Sequence, residues 1–128
     1  MGVDCTLMVL HSFDNAGSYE IGSVAAVFRL RRDYDLWEAL GRLDPTRTYG
    51  KVQLPHGGHA VFSSGVIPEG FEHDNPGVLA GTPYGDALQA YRGSLLAGLT
   101  HQAEGLNRDV IEFISKHYAD RLVVLYWS

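Results

Sequence analysis

Residues 107–128 read NRDVIEFISKHYADRLVVLYWS, and the placement of apolar side chains within them sets the architecture. Val110, Ile111, Ile114, His117 and Tyr118 fall on one helical face, and Asn107 is a residue type that caps helices. Leu122 to Trp127 is an unbroken apolar run. The pattern predicts a helix that feeds directly into a buried strand. Such a strand needs partners at both edges and cover on both faces, so earlier segments must assemble around it.

Working outward, Val3 to Leu10 is almost continuously apolar after Asp4 and predicts an inner strand beside the terminal one. The stretch 11–23, HSFDNAGSYEIGS, carries the chemistry of a loop or a distorted hairpin. In 24–32, VAAVFRLRR, Phe28 and Leu30 alternate with Arg29 and Arg31, which predicts a half-buried strand with both arginines on one face. Asp33 or Asp35 can then cap a helix lined by Leu36, Trp37, Leu40 and Leu43, with Asp35 and Glu38 spaced as a capping box. Gly41 weakens its end and Asp44-Pro45 closes it.

From Pro45 to Pro83 glycine and proline recur, and HAVFS at 59–63 is the one strand expected there. Asp86 to Gly93 fits two patterns, a helix through Leu88, Tyr91 and Leu95 or a strand over Ala87 to Arg92, of which the strand is preferred; Ser94 reads as the cap of a helix over 95–104, and Gly105 as its end. Strands and helices do not alternate regularly, which predicts α+β: a small mixed or antiparallel sheet covered by about three helices. An α/β arrangement with a parallel pair is the alternative.

At 128 residues the chain suits a single domain, 1–128, and 45% hydrophobic against 20% charged residues is a globular balance. The net charge of -5 disfavours binding along a nucleic-acid backbone but leaves room for one small anion at a local arginine cluster. Cys5 is the sole cysteine, so no internal disulfide forms, and the first ten residues lack a secretory pattern. The cytoplasm is the expected compartment. No apolar run approaches the roughly 20 residues a membrane-spanning helix needs.

Arg29, Arg31, Arg32, Tyr34 and Trp37 concentrate cations and rings around a strand-to-helix junction. Arginine forks match phosphate or carboxylate and aromatic faces stack on bases, so the group suits a small anionic, nucleotide-like ligand. Surface pairing of the arginines and core packing of Trp37 is the competing account. Tyr84, Tyr91, Tyr126 and Trp127 form a second aromatic set, suited to a pocket or a homo-oligomer interface as well as to a core. Removing Trp127 and Ser128 would be tolerated if they merely fray.

His56 and His59 form H-x-x-H, and His73 could join them as a metal ligand if the loop folds back. Zinc sites on helices use H-E-x-x-H instead, so exposed or locally bonded histidines are the preferred reading. Cys5 in an apolar strand reads as a packing residue, and Asp4 as a strand-end acceptor without an evident partner. Neither a serine-hydrolase elbow, a dinucleotide fingerprint nor a P-loop occurs, and no cofactor is implied.

The opening MGVDCTL, the central RDYDLWEAL, the segment TPYGDAL and the ending VVLYW resemble a loose group of small uncharacterised bacterial and phage proteins. That resemblance implies one compact α+β unit and a counter-defence or accessory role. It supplies no activity or catalytic residue. The expected function is therefore a non-enzymatic binding protein that sequesters a small anionic or nucleotide-like molecule. A small metal-assisted hydrolase or phosphoesterase and a protein-interaction inhibitor are the alternatives.

Overall fold

A computed structural model describes residues 4–11, 21–22, 24–43, 49–53, 59–63 and 89–127. The terminal run forms the strand Leu122–Trp127, and all six of its residues are buried. Its neighbours in an antiparallel four-stranded sheet are Cys5–Leu10 and Gln89–Arg92, with Val24–Arg29 outside Cys5–Leu10. In chain order these strands are β1 (Cys5–Leu10), β3 (Val24–Arg29), β6 (Gln89–Arg92) and β7 (Leu122–Trp127). A second sheet holds β2 (Ile21–Gly22), β4 (Tyr49–Gln53) and β5 (His59–Ser63), with β2 parallel to β4 and β4 antiparallel to β5. The α+β expectation is met.

Strand alternation divides the core in two. One cluster holds Cys5, Leu7, Val9, Tyr91, Val123, Leu125 and Trp127; the other holds Met8, Leu10, Ala90, Leu122, Val124 and Tyr126. Between Val9 and Leu10 the pairing with β3 shifts from Ala26 to Val24. The extra residue, Ala25, lets Ala26 pack with the first cluster and Val24 with the second.

Helical segments cover the first cluster. Leu36, Trp37 and Leu40 come from α1 (Tyr34–Gly41), Leu96 and Leu99 from a 3-10 helix (Gly93–Gln102), and Ile111 and Ile114 from α2 (Gly105–His117). Val52 of β4 packs into the second cluster, so the two sheets share that interior. Among the described residues no helix is long and apolar enough to cross a membrane.

Several local expectations change. Asp33 caps α1 by accepting from the Leu36 N–H at 3.2 Å, so the Asp35 box is not what starts that helix. β3 ends at Arg29, which leaves Arg31 beyond the strand. Ser94 caps nothing, because the segment it enters is a 3-10 helix that begins at Gly93 without a side-chain cap. Gly105 opens α2 with a φ of +53°, a conformation in which glycine is least strained. Asn107 lies within α2 and does not cap it. Strand β4 was not foreseen.

Trp127 is 2% exposed, pairs with Cys5 and meets the Trp37 ring edge-on at 5.9 Å. It is a core residue, so at Trp127 the condition under which truncation would be tolerated is not met. Trp127→Ala should lower the unfolding free energy by about 3–5 kcal/mol in urea titration.

Gly93 is required for a different reason. Its N–H donates to the Arg121 carbonyl at 2.9 Å, and a Cβ there would stand 2.1 Å from the Tyr118 carbonyl oxygen. Gly98 sits in open space. Gly93→Ala should destabilise by about 1–3 kcal/mol or more, whereas Gly98→Ala should be neutral or stabilise by up to about 1 kcal/mol, both read as urea midpoints.

Candidate functional site

The junction between β3 and α1 has a backbone held at almost every residue. Leu30 turns into the core, 3% exposed, and its N–H donates to the Cys5 carbonyl at 3.0 Å. The Arg31 N–H donates to Asn107 Oδ1 at 2.7 Å, and Asn107 Nδ2 donates back to the Arg31 carbonyl at 2.8 Å. The Asp33 carbonyl accepts from the Trp37 N–H at 2.9 Å, closing the first turn of α1. Exposed arginines thus stand on a fixed chain.

Two of them converge on one carboxylate. Asp4 Oδ2 lies 3.0 Å from Arg29 Nη2, while Asp4 Oδ1 accepts from Arg32 Nε at 3.1 Å and lies 3.0 Å from its Nη2. The Arg29 and Arg32 side chains are 74% and 47% exposed, and that of Asp4 only 20%. Hydrogen bonding from Arg32, followed by its charge and the contribution of Arg29, outweighs desolvation and holds the Asp4 carboxyl below its ordinary value of 3.8. The same contact raises the pKa of Arg32, with a smaller contribution from the Tyr34 phenol. Tyr34 is 56% exposed.

The two guanidinia thus bridge one carboxylate, each on a different oxygen. Arg31, next to Arg32 in the chain, is exposed. The cluster offers fixed charge and donors. The adjacent Cys5 thiol does not add to it, being fully buried, and burial pushes that thiol well above the usual thiol range.

The remaining candidates separate. Trp37 is 0% exposed and packs on Trp127, so neither ring has surface for a ligand. Tyr126 is 4% exposed and opposes Thr6, which also opposes Arg29, so these three form one cross-strand row on the other face of the sheet from Trp127. Tyr91 is buried, donates its hydroxyl to the Leu40 carbonyl at 2.8 Å, and is driven by desolvation to ionise well above the usual phenol range.

Tyr84, His56 and His73 lie outside the described residues. His59 begins β5 opposite Gln53, as backbone only. Among the described residues no three His, Cys, Asp or Glu side chains are grouped to hold a metal. An open groove of about 240 Å³, lined by Ala39, Arg42, Leu43, Leu99 and Gln102, lies where α1 meets the 3-10 helix. Its cation, Arg42, bridges to Glu38 one turn earlier.

Asp4 and Asn107 are the residues whose site roles were not anticipated. The strand pairing of Thr6 with Arg29 is the signal that could have placed Asp4 beside the arginines. No family model, curated protein or solved structure matches this chain.

The sign of the Asp4 shift gives a test. A depressed carboxyl pKa adds stability above its unfolded value, and that contribution is lost as pH falls through the folded value. Wild type should exceed Asp4→Asn in stability at neutral pH by a small margin, because the arginines are largely exposed. The margin should close as the pH drops below 3.8, measured by thermal melts across the acid range.

Proposed function

We propose that this protein is a non-enzymatic binding protein that sequesters a small anionic, nucleotide-like ligand on the surface formed by Arg29, Arg31, Arg32 and Tyr34. The observation that carries the reading is the convergence of Arg29 and Arg32 on the Asp4 carboxylate at 3.0 Å, on a backbone fixed from both sides. A phosphate presents oxyanions of similar spacing, and its entry exchanges one set of charge-assisted hydrogen bonds for another. The exposed Tyr34 ring provides a face on which a base can stack.

The net charge of -5 supports a compact ligand over an extended polyanion, since field beyond the arginine cluster opposes a long run of phosphates. Trp37, Trp127 and Tyr126 are buried in the core and are left out of the proposed surface. A counter-defence role for such sequestration rests on the resemblance in the sequence and on no feature of the site. The hydrolase alternative depends on His56, His59 and His73, whose side chains lie outside the described residues.

Calorimetry with AMP, ADP, cyclic nucleotides and inorganic pyrophosphate tests the reading. Wild type should bind at least one of them, more weakly at high salt. Arg31→Ala and Arg32→Ala should each cost about tenfold or more in affinity. Tyr34→Ala should weaken nucleotides more than pyrophosphate. Absence of binding across the panel would sink the proposal.

A further inference from the structure

Asn107 occupies a position where an apolar residue is the default. With Ile111 and Ile114 it forms the buried stripe of α2, and it is 3% exposed. Both ends of its amide bond one distant residue, Arg31, which is 76 positions away in the chain. At 2.7 and 2.8 Å the pair imitates the exchange of N–H and C=O between strands, at the point where β3 has ended. Neither partner in β1 nor the cap of α1 reaches that peptide: Cys5 holds Leu30, and Asp33 holds Leu36.

We infer that Asn107 is a positioning residue for the anion surface, fixing the Arg31 backbone so that Arg29, Arg31 and Arg32 are presented together. The inference rests on the anion-binding reading above. Between the carbonyl that anchors Leu30 and the cap at Asp33, the Arg31 N–H and C=O are held, among the described residues, by Asn107 of α2. With the amide removed, the Arg31 backbone loses both of its bonds while Asp4 still holds Arg29 and Arg32, and the sheet and α2 remain packed through Ile111 and Ile114. Preorganisation of this kind acts on affinity by lowering the ordering cost of binding.

The test uses the full chain with pyrophosphate and ADP as probes. Asn107→Leu keeps the apolar stripe and removes both bonds; Asn107→Ala admits water and serves if the leucine variant does not fold. Ile111→Val provides a stability control on the same face of α2. Affinity should fall about tenfold or more in the Asn107 variants and less than about twofold in Ile111→Val. Amide exchange at Arg31 should quicken by about tenfold or more while β7 stays protected. A folded Asn107 variant that binds like wild type overturns the inference and leaves the binding reading intact. Wild type that binds neither probe overturns both.

Discussion

Burial of β7 on both faces is the constraint on which the rest of the structure depends. Every residue from Leu122 to Trp127 is buried, so the strand must have neighbours at both edges and material above and below. β1 and β6 supply the edges, and the helices and Val52 supply apolar cover on opposite faces. β1 is as fully buried as β7, which pushes the next strand, β3, to the edge of the sheet. The arginines follow from that placement: they stand where the sheet ends and the chain turns into α1.

The surface so formed is ordered from beneath. Leu30 is anchored to β1, Arg31 to α2 and Asp33 to the first turn of α1, and none of those bonds uses a guanidinium. Asp4 holds two of the cations in one geometry, at the expense of part of their charge. The proposed ligand would compete with this internal carboxylate, and it must bring more charge or more contacts than Asp4 does. A phosphate with an attached ring brings both.

The parts legible in the sequence are those set by local apolar pattern. β1, β5 and β7 are short runs of strand-forming side chains, and α1 follows from the spacing of Leu36, Trp37 and Leu40. β4 escaped because YGKVQ carries a glycine and few apolar residues, so its strand character comes from pairing with β2 and β5. Asn107 was misread because an asparagine that caps its own helix and one that bonds a distant peptide look identical in sequence. Asp4 escaped for a related reason: its partners lie 25 and 28 residues away, and only the register of β1 with β3 brings them together. Trp37 and Trp127 were ambiguous because a tryptophan serves equally well in a core or against a ligand, and burial decides between the two.

Resonance mapping tests most directly the proposal that an anionic ligand is held at the arginine junction. ADP titrated into isotopically labelled protein should shift the backbone amides from Arg29 to Tyr34, the amide of Asp4 and the Nε resonances of Arg29 and Arg32 before any others. Shifts confined to the groove lined by Ala39, Leu43, Leu99 and Gln102, with the Arg29 and Arg32 signals unmoved, would contradict it.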